Sequence, residues 1–77
     1  MDKLYRWSFS IGSFGMISIY YNVNSKKAID IFNRLKKDTD FFNLIEEGKC
    51  VVIEENKILI TDSEKFENEN YNNILPF

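Results

Sequence analysis

The sequence predicts a small two-layer α+β domain of order β-β-α-β-β, an antiparallel sheet with its apolar face packed on one main helix. Three observations predict it. Residues 4–23 and 50–61 alternate apolar and polar side chains with the period of two that half-buried strands show. Between them, Ala28, Ile31, Phe32 and Leu35 recur at helical spacing. A chain of 77 residues has room for one domain and one core.

In the first strand Tyr5, Trp7, Phe9 and Ile11 share one face, and Leu4, Arg6, Ser8 and Ser10 share the other. The second strand sets Ile17, Ile19, Tyr21 and Val23 against Met16, Ser18, Tyr20 and Asn22. Gly12-Ser13-Phe14-Gly15 joins them as a hairpin. A three-residue loop, residues 13–15, pairs Ile11 with Ile17, Phe9 with Ile19, Trp7 with Tyr21 and Tyr5 with Val23. All the apolar side chains then fall on one face, whereas a loop of two or four residues reverses one strand. Gly15 is expected at the positive-φ position that such a hairpin requires.

Asn24 or Ser25 is the expected N-cap of the main helix. Ile29 lies at the edge of its apolar stripe. Lys26, Asp30 and Arg34 stand four apart, at ion-pair spacing. Lys36 and Lys37 close the helix where its dipole favours cations. Asp38-Thr39-Asp40 caps a shorter helical segment, residues 41–47, and Gly48 ends it. A second hairpin follows. A two-residue turn at Glu55-Asn56 pairs Glu54 with Lys57, Ile53 with Ile58 and Val51 with Ile60. Its other face holds Cys50, Val52, Leu59 and Thr61, which is only half polar and wants cover.

The chain divides into a single α+β domain, 1–61, and an acidic Asn-rich tail, 62–77, either part of that domain or mobile. The tail ends in Ile74-Leu75-Pro76-Phe77, an apolar end expected to dock on the outer face of the second hairpin, the alternative being a short linear anchor for a partner.

So short a chain buries only about 60% of its extended surface. Small domains therefore usually add a disulfide, a metal or a second copy of themselves. The single cysteine, Cys50, allows no internal disulfide, and the absence of histidine removes the usual zinc ligands. A dense core or a homo-oligomer is left, and the twelve aromatic residues (seven Phe, four Tyr, one Trp) serve either. One cysteine, no signal-peptide pattern and no apolar run of membrane-spanning length lead to the expectation of a cytoplasmic protein without membrane contact. Richness in Asn, Ile, Lys and Glu is what AT-rich coding produces, and it associates the chain with an AT-rich microbe or its phage.

Residues 1–37 carry seven Lys or Arg and two acids, whereas residues 38–77 carry three Lys and ten acids. The first reading is that the halves pack together and neutralise each other. The second is a polyelectrolyte partner.

Ser-His and Cys-His catalytic pairs cannot be built without histidine. Gly12-Ser13-Phe14-Gly15 lacks the Lys-Ser/Thr and helix of a phosphate loop. Glu46-Glu47, Glu54-Glu55 and Asp38/Asp40 sit in turns and helix ends, where acids are ordinarily solvated. Cys50, beside Val51 and Val52, is read as a buried, inert thiol. Neither catalysis nor a cofactor is expected.

What remains is binding. Glu64, Phe66, Glu67, Glu69 and Tyr71 interleave acids with aromatic anchors, a pattern suited to a basic or nucleic-acid-binding protein. The expected function is a non-catalytic protein-binding module of the inhibitor, immunity or accessory type. The alternative is a small nucleic-acid binder that stacks bases on an exposed Tyr20 beside Arg6 and holds phosphates with Lys26, Lys36 and Lys37. A sequence pI near 5.0 argues against that alternative.

Overall fold

The computed structural model describes residues 3–75. The elements are β1 (Tyr5–Ile11), β2 (Gly15–Tyr21), α1 (Ser25–Asp38), α2 (Phe41–Glu46), β3 (Lys49–Glu54), β4 (Lys57–Asp62) and α3 (Ser63–Glu69), then a 3₁₀ turn at Tyr71–Asn73. The fold is α+β, with the four strands side by side in chain order.

The sheet is mixed. Both hairpins are antiparallel, but β2 and β3 run parallel, pairing Ile19 with Val51, Tyr20 with Val52 and Tyr21 with Ile53. This corrects the wholly antiparallel sheet expected from sequence. Residues 22–48 form a crossover carrying α1 and α2, and a connection of that length returns the chain in the same direction.

The second hairpin has the expected register: Glu54 opposite Lys57, Ile53 opposite Ile58, Val51 opposite Ile60. The first is shifted by two residues. Phe9 faces Ile17, Trp7 faces Ile19 and Tyr5 faces Tyr21, while Ile11 faces Gly15. The loop is therefore 12–14, closed by a hydrogen bond from the Phe14 N–H to the Ile11 carbonyl at 2.9 Å. A shift of two preserves every side chain's face, so alternation alone cannot distinguish the registers. Gly15 has the expected positive φ, and Gly12, within the loop, also takes a left-handed conformation, at φ 50°. Gly15 begins β2 at φ 155°, where an added Cβ would stand 3.2 Å from Cγ2 of Ile45.

Helices cover both faces of the sheet. On one face α1 and α2 bury Ala28, Phe32 and Phe41 against Ile17, Ile19, Val23, Val51 and Ile53. Trp7, Phe9 and Tyr21 pack at its margin. The Asn24 side chain caps α1 by accepting the Lys27 N–H at 2.8 Å. The Asp40 side chain does the same for α2, accepting the Asn43 N–H at 3.3 Å. No ion pair joins Lys26, Asp30 and Arg34 among the described residues.

On the other face Leu4, Tyr20, Cys50 and Val52 form a second buried cluster. Phe66 of α3 and Ile74 cover it. The Asp62 side chain caps α3 by accepting the Lys65 N–H at 2.9 Å. Beyond the 3₁₀ turn the tail runs parallel to the start of β1. The Leu4 N–H donates to the Asn73 carbonyl at 2.7 Å, and the Leu75 N–H donates to the Leu4 carbonyl at 2.9 Å. Ile74 therefore lies beside the start of the first hairpin and packs on the cluster that includes Cys50 and Val52 of the second hairpin's outer face, as expected; Pro76 and Phe77 lie outside the described residues.

Candidate functional site

α3 and the 3₁₀ turn bring the acidic and aromatic residues of the tail onto the second face of the sheet, where they divide into two sets. Phe66 and Glu67 turn inward. The Phe66 ring lies against Tyr20, with centroids 5.0 Å apart. The Glu67 carboxylate accepts a hydrogen bond from the Tyr20 hydroxyl. Glu64, Glu69 and Tyr71 turn outward, and Tyr71 is 79% exposed. Glu64 stands in the first turn of α3, where the helix dipole favours an acid.

Tyr20 is 0% exposed. The expectation of an exposed ring for stacking bases is thereby corrected: Phe66 already occupies its neighbourhood. Burial first, and then the hydrogen bond from its hydroxyl to Glu67, holds the phenol protonated well above its usual range, with Arg6 opposing weakly. The hydroxyl is a fixed donor and is not positioned as a nucleophile. Arg6 faces Tyr20 across the β1–β2 ladder and is itself exposed. A groove of about 610 Å³ opens here, with Arg6, Tyr20, Glu67, Tyr71, Ile74 and Leu75 among its lining.

Cys50 is fully buried beneath the same face, and burial, followed by the charges of Glu67 and Asp62, pushes its thiol up to about 11. At neutral pH it is a thiol, not a thiolate.

Lys26, Lys36 and Lys37 belong to α1, on the opposite face from Arg6 and Tyr20. The nucleic-acid surface drawn from sequence is therefore split across the sheet. Lys36 also rests its ammonium 5.4 Å above Phe9 and 5.7 Å above Phe32, a cation–π contact. Beside it, Trp7, Phe9, Tyr21, Ile29 and Phe32 line an apolar groove of about 390 Å³.

The two charged halves are not neutralised by packing. The sheet separates basic α1 from acidic α3. One ion pair joins the halves among the described residues, Lys27 to Glu55 at 2.8 Å.

The Tyr20–Glu67 pair was not read from sequence. Forty-seven residues separate the partners, so no local spacing could reveal it. A usable signal was Tyr20's place among residues that needed cover: it neighbours Val52, whose face already looked too apolar for water.

Among the described residues no group of His, Cys, Asp and Glu is arranged to hold a metal ion, and no helix is long and apolar enough to cross a membrane. No protein-family model, no curated protein and no solved structure matches the chain, so the reading of the site rests on its geometry.

Proposed function

We propose that the chain is a non-catalytic protein-binding module that docks on a basic protein surface through α3 and the turn after it. The exposure of Tyr71 carries this reading. An aromatic ring left in solvent on the segment that also carries the exposed acids Glu64 and Glu69 has the composition of an interface anchor with an electrostatic rim. Phe66 and Glu67 support it from beneath, because their contacts with Tyr20 fix α3 on the sheet. A pre-positioned helix loses little freedom on docking.

The module belongs with inhibitor, immunity or accessory proteins, and the fitting partner is basic, including a protein that itself binds nucleic acid. Composition favours a phage or mobile-element setting in the cytoplasm.

The test is affinity for the protein recovered with the chain from its native cell. Tyr71→Ala should weaken binding roughly ten- to thirtyfold. Glu64→Lys with Glu69→Lys should slow association and flatten its dependence on salt. Recovery of no stoichiometric protein partner, or unchanged affinity in Tyr71→Ala, defeats the reading.

A second reading is favoured by the exposure of Lys26, Arg34, Lys36 and Lys37 on α1. It is direct nucleic-acid binding by α1 alone, without Tyr20. Gel shift at low salt separates the two readings: loss of a shifted band in Lys36→Glu with Lys37→Glu supports nucleic acid, and no shift by the wild type removes it.

A further inference from the structure

The groove on the α3 face contains polar groups that the fold itself does not use. β1 gives it Arg6 and Ser8, which share a face because they stand two residues apart. α3 gives it Glu67, and the segment after α3 gives it Tyr71 and Ile74. Tyr20 joins the two sides. It pairs with Arg6 across the β1–β2 ladder, and its hydroxyl donates to Glu67.

Two opposite charges line this groove without meeting. Among the described residues no ion pair or hydrogen bond holds the Arg6 guanidinium, and none joins it to Glu67. The Tyr20 hydroxyl bonds to Oε2 of Glu67, and no donor reaches Oε1 among the described residues. A guanidinium carries five N–H donors, and each carboxylate oxygen accepts up to two bonds. One wall therefore offers donors and the other an acceptor. The volume, about 610 Å³, is that of a small-molecule site.

An occupant has to answer both charges. A simple anion that reaches Arg6 is repelled by Glu67, and a simple cation that reaches Glu67 is repelled by Arg6. The several charges of a nucleotide phosphate also meet the exposed acids Glu64 and Glu69 of α3. A zwitterion satisfies both walls and is neutral overall, as is the pair of groups it faces. The Tyr71 ring and Ile74 add apolar surface, which suits an occupant with an apolar body.

We infer that this groove binds a free α-amino acid with an apolar side chain. Its carboxylate accepts from Arg6 and from the Ser8 hydroxyl, its ammonium donates to Glu67, and its side chain lies along Tyr71 and Ile74. The Tyr20 hydroxyl already holds Glu67 in place, so less freedom is lost when the ligand enters.

This site goes beyond the protein-docking reading. It is measured on the chain alone, and Arg6 is not part of the surface given to a protein partner, so either can fail without the other.

The experiment is titration of the full chain with L-phenylalanine, followed by amide NMR shifts. The expected Kd is on the order of 1 mM for a ligand of about twelve non-hydrogen atoms, with shifts centred on Arg6, Ser8, Glu67 and Tyr71. N-acetyl-L-phenylalanine lacks the ammonium and L-phenylalaninamide lacks the carboxylate. Each should bind roughly tenfold more weakly, because one charge-assisted contact is lost. Arg6→Met should weaken L-phenylalanine by a similar factor and leave the amide unchanged. Glu67→Gln, which keeps a carbonyl for the Tyr20 hydroxyl, should weaken L-phenylalanine and leave the acetyl compound unchanged. No shift up to about 20 mM, far above the expected Kd, overturns the inference. So does equal affinity for the three compounds, a reading on the wild type that stands even if a variant fails to fold. Shifts centred on Phe9 and Ile29 instead, or a response to guanosine and none to the amino acid, also overturn it.

Discussion

The two faces of the sheet are sealed by different means. The α1 face is closed by apolar contact, with the Lys36 ammonium over the rings at its margin. Eight buried residues form its cluster among those described, and Phe32 sits at the centre of its rings. Phe32 meets Trp7 and Phe9 with centroids 5.0 Å away and Phe41 at 5.5 Å. The α3 face has four buried residues, and a phenol hydrogen-bonded to a carboxylate spans its cover. The larger face can hold the fold together, whereas the smaller one couples the sheet to the helix that displays Tyr71. Damage to the first should therefore unfold the chain, and damage to the second should loosen α3 before the rest.

The largest expected effect tests that division directly. Phe32→Ala empties the middle of the aromatic group and should cost about 3–5 kcal/mol, which is the whole margin of a domain this small. Urea unfolding should find it largely unfolded at room temperature. Phe66→Ala removes a half-buried ring from the smaller cluster and should cost about 2 kcal/mol, with exchange protection lost first in α3. Equal losses from the two substitutions would mean that the faces form one cooperative unit.

Alkaline pH should act through the α3 face, where Cys50 and Tyr20 are buried. In the unfolded chain the Cys50 thiol ionises near its ordinary value of 9.0, whereas in the fold it stays protonated until about 11. A raised folded value means that the unfolded state releases its proton first. Stability is therefore full below about pH 9 and declines as pH rises toward 11, by about 2–3 kcal/mol from this thiol. Tyr20, also raised, adds loss above its ordinary value of 10.0. Thermal unfolding against pH should show the decline, and Cys50→Ala should remove the part that begins near 9. A Cys50→Ala profile as steep as the wild type would show that other groups carry the effect.

The Tyr20–Glu67 bond ranks next. Tyr20→Phe leaves a half-buried carboxylate without its donor and should cost about 1–2 kcal/mol. A double-mutant cycle with Glu67→Gln measures the coupling, and a cycle energy of zero would mean that Glu67 turns to water without loss.

The contrast between the faces also explains what could be read from the residues. The α1 face was legible because each of its elements is amphipathic at its own period: Trp7 and Phe9 every second residue, Ala28, Phe32 and Leu35 every third or fourth. The second hairpin was legible to the residue, since Glu54 opposite Lys57 leaves one turn of sensible length. The first hairpin's register was not, because two settings keep the same face, and a contact supplied by α2, Ile45 over Gly15, belongs to the setting observed. Parallel pairing of β2 with β3 was hidden for a similar reason: nothing local in either strand states its direction. At the site, Glu64, Glu69 and Tyr71 were picked out by residue type. Exposure of Tyr20 was misjudged because its cover comes from Phe66, far along the chain.

Capping gives a finer comparison, because α1 and α3 begin in the same way on opposite faces. Asn24 accepts the Lys27 N–H at 2.8 Å, and Asp62 accepts the Lys65 N–H at 2.9 Å. Each substitution by alanine should cost about 1 kcal/mol. The readouts should differ. Asn24→Ala should lower global stability, since α1 is part of the main core, whereas Asp62→Ala should chiefly speed exchange in α3. Equal global losses would weaken the division between a structural face and a displaying one.

The smallest expected effect concerns the one ion pair that joins the basic and acidic halves among the described residues. Lys27 and Glu55 approach to 2.8 Å, but their side chains are 44% and 70% exposed. Solvent screens such a pair, and holding two long side chains together opposes it. Lys27→Ala should therefore change stability by less than about 0.5 kcal/mol, and salt should reduce even that. Denaturant titrations at low and high salt measure it. A larger loss would mean that charge attraction helps hold α1 to the second hairpin. A negligible loss would mean that α1 is held there by its apolar face, with the Lys27 and Glu55 charges free to meet other partners.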